Sequence, residues 1–256
     1  FLIKKEGVFV GQQAGRANWM AFPEMLRFYE QVQAAGTGLE PDADFLADPA
    51  LGRYVGFQLR KLELPEGVCA FLTQVGLPDC FADYRSPEEE RERGLYPGVV
   101  FWLSCLRVEQ AKKKKLLVIG ESRSLDRGCV ISGAGTPDER WEWLKREDVA
   151  YIAVELKTGA VWKWLHDSFG DILTYVNTSL SQYLLSMACW RAFYPGFARK
   201  VQDFCAQHPG KIDLDFIFKH EKSLYAPFWD TLQALDPEAA KKRKSYWKAM
   251  CDLSLY

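Results

Sequence analysis

The sequence is poor in the patterns from which most enzymatic chemistry can be read. It has three histidines, His166, His208 and His220, and no two of them stand three or four residues apart. Its seven cysteines, at 69, 80, 105, 129, 189, 205 and 251, never form a C-x-x-C pair. These absences exclude a zinc signature of recognisable spacing. The glycines of VIGESRS and SGAGT match neither a phosphate-binding loop nor a dinucleotide fingerprint. No run of roughly eighteen apolar residues occurs, so no membrane-spanning helix and no membrane partner are expected. Excess charge is missing too. With 33 Lys and Arg against 34 Asp and Glu, the net charge of −1 gives no general attraction to nucleic acid.

The cysteines are odd in number and sit mostly inside apolar runs such as GVCAFL, WLSCLRV and GCVISG. That usage reads as free thiols in a reducing compartment, so a cytoplasmic location is expected. Asn177-Thr178-Ser179 has the form of a glycosylation acceptor, but without secretion it carries no glycan. The sequence begins at Phe1 rather than Met, as expected of a trimmed or partial N-terminus.

What is present is an ordinary globular composition, 48% apolar and 26% charged, with nine Trp, eleven Tyr and sixteen Phe. The spacing predicts a helix over 22–36, opened by Pro23 and stopped by Gly36. Residues 39–54 read as turn-rich with a short helix. A second helix runs from about Pro65 to Val75, with Val68, Phe71, Leu72 and Val75 on one apolar stripe and Gly76 as its stop. From Val99 the pattern changes to short segments rich in Val, Ile and aromatics: 98–108, 115–122, 128–133, 149–156, 160–165 and 172–176. The pair YIAVEL and AVWKWL, joined by Lys157-Thr158-Gly159, predicts a hairpin closed by a left-handed glycine. Alternation places Ile152, Val154 and Leu156 on one face and Tyr151, Ala153 and Glu155 on the other. Trp162 and Trp164 share a face of the return strand.

Helices follow. Ser179 and Gln182 are spaced as a capping box at the head of a helix with Leu180, Leu184, Met187 and Ala188 on one stripe. Residues 197–208 predict another helix, and Asp236-Pro237-Glu238 marks the start of the last. The basic run 241–244 stands on a near-neutral segment and reads as a local turn. Strands gathered in the middle with helices at both ends give an α+β class.

One catalytic pattern competes. Pro137-Asp138, followed by Glu155-Leu156-Lys157, has the form of a metal-dependent nuclease signature, two carboxylates for a divalent ion and a lysine to orient water. Against it, Gly159 turns the chain directly into the next strand, leaving Glu155 and Lys157 at a hairpin tip. Glu155 reads as a solvent-side position, and Asp138 lies in a loop where Pro-Asp is common turn chemistry. Cys189 and Cys205, the remaining nucleophile candidates, fall in helix interiors. The reading is of a protein that binds rather than catalyses, with no metal and no cofactor.

The segments CAFLTQVGLP, KLLVIGESRS, VAYIAVELKTGAVWKWL and TYVNTSLSQYLLSM, in that order over roughly residues 62–194, resemble the fourth subfamily of the SUKH superfamily. Tyr183 stands where that pattern usually has Phe, and the insert 132–148 lengthens the loop before the hairpin. The resemblance implies a curved mixed or antiparallel sheet of about six strands packed with helices. It divides the chain into an N-terminal extension (1–61), a core domain (62–194) and a C-terminal helical extension (195–256). It also implies a non-catalytic cytoplasmic immunity protein that binds and neutralises a cognate polymorphic toxin domain. A broader regulatory, protein-binding scaffold of the same fold is the other reading it allows. Against a toxin with a basic cleft, acidic residues with aromatic anchors are expected to form the contact. Asp138, Glu139, Trp141, Glu142 and Trp143 of the insert fit best, with Glu121 and Asp126 as a second group.

Overall fold

The computed structural model describes residues 12–13, 19–46, 51–54, 59, 62–78, 106–122, 150–167, 170–207, 214–241 and 245–251. Its centre is an antiparallel sheet of β4 (Arg107–Ala111), β5 (Lys114–Ser122), β6 (Ala150–Glu155), β7 (Val161–Asp167) and β8 (Gly170–Asn177), in that spatial order. Each strand pairs with its neighbours in sequence, so this part of the sheet is a meander with no parallel pair. Of the expected mixed or antiparallel sheet of about six strands, the described residues form five, all antiparallel. The sixth segment, 128–133, lies outside them. A second sheet joins β1 (Gln12–Gln13), β2 (Leu51–Tyr54) and β3 (Leu77–Pro78). Local pattern did not announce it, because strands this short show no alternation.

The hairpin between β6 and β7 follows the sequence closely. Gly159 has φ of 78° and donates its N–H to Glu155 O at 2.8 Å, a conformation that glycine adopts without a Cβ clash. Two bulges bend the sheet, one in β5 between Val118 and Gly120 and one in β8 at Val176, opposite the step from Val161 to Trp162. Each puts an extra residue on one strand and sharpens the local twist.

One face of the sheet carries the main core. Leu117, Ile119, Ile152, Val154, Val161 and Val176 join the helices there in a single apolar cluster that runs from Trp19 to Cys251. Helix α1 (Pro23–Ala34) opens at the expected proline, and α2 (Ala43–Leu46) is the short helix of the turn-rich segment. Helix α3 (Glu66–Gln74) buries its predicted stripe of Val68, Phe71 and Leu72, and Val75 follows it into the core.

The largest departure is α4, which runs unbroken over Leu180–Gln207 where the sequence reading had two helices divided at Pro195. Proline removes one helical hydrogen bond. Here Pro195 and Gly196 fall on the exposed side, where water can satisfy the carbonyl left behind. On the other side Trp190, Phe193, Tyr194 and Phe197 are buried, and tertiary packing carries the helix through the break. Residues 180–190 are all buried, so the first turns of α4 are enclosed on every side rather than along one stripe. Helix α5 (Leu214–Leu235), not seen in the sequence, lays Phe228 against Trp190 with ring centroids 5.0 Å apart. Helices α6 (Pro237–Lys241) and α7 (Tyr246–Met250) complete the core, with Phe228 and Trp247 5.5 Å apart. Among the described residues no helix is long and apolar enough to cross a membrane.

Candidate binding face and the polar corner beside it

The other face of the five-stranded sheet has a cluster of its own, built from strand residues alone. Ala111, Leu116, Val118, Ala153 and Trp164 are buried there, with Tyr151, Trp162 and Leu173 packed around them. Tyr151 and Trp164 lie with ring centroids 5.3 Å apart, and Trp162 meets Tyr175 edge-on at 5.4 Å. The sequence had placed Tyr151, Ala153 and Glu155 together and Trp162 with Trp164, and both groupings hold. Burial of this face follows from curvature. The N–H of Lys112, in the turn of the β4–β5 hairpin, donates to Asp171 Oδ2 at 3.1 Å, and Asp171 begins β8 at the opposite edge. Diagonal corners of the sheet therefore meet, although β4 and β8 form no ladder.

Asp171 gathers this corner. Its Oδ1 accepts Trp164 Nε1–H at 2.9 Å and lies 2.8 Å from His166 Nδ1. The hydrogen bonds from His166 and Trp164, with the Lys112 N–H, hold its carboxyl below the usual aspartate range against a smaller opposing effect of burial. Glu155 plays a similar part at the other end. Its Oε2 accepts Lys114 Nζ at 2.7 Å, Thr158 Oγ1 at 3.0 Å and Trp162 Nε1 at 3.2 Å. Lys114 Nζ also stands 4.4 Å from the Trp162 ring centroid. Burial pushes the Glu155 carboxyl up, but the bonds from Lys114, Thr158 and Trp162 outweigh it and hold it below the ordinary value. Arg107 stacks over Tyr151 at 4.6 Å and pairs with Glu109 at 3.0 Å.

This corrects the solvent-side reading of Glu155, which is only 7% exposed and committed to three donors. Lys157 is exposed at the hairpin tip, and Asp138, the third member of the nuclease pattern, lies outside the described residues. Among the described residues no group of three His, Cys, Asp or Glu could hold a metal ion. Cys189 is buried, and burial pushes its thiol up to about 12, the setting of a core cysteine. Of the expected partner-contacting positions, Glu121 lies on β5 opposite Tyr151, with its side chain outside the description. Asp126, Asp138, Glu139, Trp141, Glu142 and Trp143 all lie outside the described residues. The sequence reading missed Lys114 and Asp171. Only the alternation of β8, which puts Asp171 on the face of Leu173 and Tyr175, could have drawn attention to the latter.

At the end of β8 the chain turns into α4 through a buried polar corner. Asn177, fully buried, donates from Nδ2 to Asp236 Oδ2 at 3.0 Å and to Ser186 Oγ at 3.2 Å, while its Oδ1 accepts Trp247 Nε1–H at 3.1 Å. Asp236 Oδ2 also accepts the Thr178 N–H at 2.7 Å, and its Oδ1 accepts the Thr178 hydroxyl at 2.9 Å. The same Oδ1 caps α6 by accepting the Ala239 N–H at 3.2 Å, as the sequence predicted. Ser179 caps α4 by accepting the Gln182 N–H at 3.3 Å. The reciprocal half of the capping box is absent. Gln182 instead donates from Nε2 to Leu235 O at 2.9 Å, tying α4 to the end of α5. With its amide sealed in this network, Asn177 offers no site for a glycan in the folded protein.

A five-stranded antiparallel meander, curled over its own aromatic residues and backed by helices, defines an α+β protein whose described polar groups serve mainly to hold the sheet's shape. The chain matches the family model of the SUKH-4 immunity protein over residues 33–252, and it belongs to that family. The match extends beyond 62–194, the stretch covered by the four sequence motifs. No curated protein and no solved structure matches the chain.

Proposed function

We propose that the protein is a non-catalytic immunity factor that binds a cognate toxin domain in the cytoplasm and neutralises it by occlusion. The family match over residues 33–252 carries this reading. The geometry supports it to the extent that the nuclease-like Glu155 is held within the fold by Lys114, Thr158 and Trp162. The partner is a protein; neither nucleic acid, membrane nor cofactor takes part. Glu121, Asp126, Asp138, Glu139, Trp141, Glu142 and Trp143 are offered as acidic and aromatic contacts, on the argument that charge complementarity selects partners and aromatic anchors hold them.

The test is co-expression with the toxin domain encoded beside this chain, followed by a binding titration of the two purified proteins. Rescue of growth together with a dissociation constant in the micromolar range or tighter is the expected result. Absence of both rescue and binding overturns the proposal.

A further inference from the structure

We infer that the sheet end formed by the β4–β5 and β6–β7 hairpin tips is a contact surface for an acidic patch on the toxin domain, an inference that rests on the function proposed above. The two tips adjoin, since the Leu156 N–H donates to Lys115 O at 2.9 Å. Lys112, Lys113, Lys115 and Lys157 are exposed there, and none has a carboxylate within ion-pair distance among the described residues. Lys114, at the same place, is already neutralised by its ion pair with Glu155 at 2.7 Å. The carboxylates nearby, Glu155 and Asp171, are occupied by internal donors. A protein of net charge −1 thus concentrates positive charge at one end of one sheet.

A second observation separates this from an ordinary solvated turn. Lys112 has φ of 53° and stands first in a two-residue hairpin loop, a position that glycine fills without strain. Its backbone is held in place on both sides. The N–H goes to Asp171, and the carbonyl accepts Gln110 Nε2–H at 3.1 Å. A lysine kept in a glycine conformation, on a turn fixed from two directions, points to a use for its side chain. Nucleic acid fits this surface less well than protein. The tips contain no arginine, and Trp162 and Trp164 are turned into the curl of the sheet, so no stacking platform accompanies the lysines.

The experiment measures binding of the purified toxin domain encoded beside this chain, at about 50 mM and at about 500 mM salt. Reversing Lys113→Glu, Lys115→Glu and Lys157→Glu together should weaken binding about 100-fold at the lower salt, mainly through the association rate, and far less at the higher. Lys200→Glu, an exposed change on α4, should leave both values unaltered. Circular dichroism confirms that each variant is folded. If the triple variant binds like wild type, this inference fails and the proposed function stands. If wild type does not bind the toxin domain, both fail. Equal affinity of the wild type for mixed-sequence duplex DNA overturns the choice of a protein partner.

Discussion

Asp171 accepts the backbone N–H of Lys112 at 3.1 Å, a single hydrogen bond between residues 59 positions apart that joins opposite edges of the sheet. The same carboxylate accepts the indole N–H of Trp164, a buried residue. Replacing Asp171 with Ala leaves that donor without its partner and opens the corner. We expect a loss of about 1–3 kcal/mol in urea unfolding, with Asp171→Asn losing less.

Acid should weaken the same connections in a defined direction. Asp171 and Glu155 are both held below their ordinary values when folded. The unfolded chain therefore binds more protons, and stability rises with pH through this region. The contribution is fully present above the ordinary carboxylate values of 3.8 and 4.5 and is lost as pH falls through the lower folded values. Unfolding free energies measured from neutral pH downward should show this decline, and the pair Asp171→Asn with Glu155→Gln should flatten it.

Glu155 itself is the sharper test of the hairpin. Glu155→Ala removes the acceptor shared by Lys114, Thr158 and Trp162, and we expect a loss of about 2–3 kcal/mol by denaturant titration. A change below about 0.5 kcal/mol would show that the three donors find other acceptors.

How far the sequence announced all this depends on distance along the chain. The β6–β7 hairpin was legible because Gly159 and the alternation around it are local facts. The start of α6 was legible for the same reason, from Asp236, Pro237 and Glu238. Pro195 misled because its local meaning was overridden by Trp190, Tyr194 and Phe197 packing on both sides of it. The corner at Asp171 and the network of Asn177 were not legible, since Lys112, Asp236 and Trp247, the partners that close them, lie 59 to 70 residues away. Nothing in a single sequence pairs such positions. The expected acidic and aromatic contacts fall largely on residues the structure does not describe, so they stand as part of the proposal.

Asn177 tests the polar corner. Asn177→Asp sets a second carboxylate against Asp236 in a fully buried site, and we expect a loss above about 3 kcal/mol. Asn177→Ala should cost about 2 kcal/mol, chiefly through the unmet groups of Asp236 and Trp247. Thermal and urea unfolding of both variants will show whether the order holds.

Ser179→Ala removes the cap of α4 together with the hydrogen bond that the Ser179 hydroxyl donates to Gln182 Oε1 at 3.1 Å. A loss of about 1 kcal/mol is expected, with affinity for the toxin domain unchanged. A large loss of affinity at unchanged stability would place this corner in the contact surface instead.

Lys112→Gly should do the opposite. Relief of the left-handed conformation should raise stability by about 1 kcal/mol, while affinity for the toxin domain falls. A variant that gains stability at no expense in binding would remove the reason given for keeping lysine there.

The position of Trp247 bears on how the protein comes into being. Its ring is fully buried, and its N–H meets Asn177, seventy residues earlier. Until the ribosome has delivered it, the nascent chain holds the Asn177 amide and the face of Phe228 without their partner. The apolar cluster, which already draws on Trp19, cannot close before then. Folding of this unit is therefore expected to wait until Trp247 has emerged from the ribosome, leaving a long window in which a chaperone rather than the native core shields its aromatic residues.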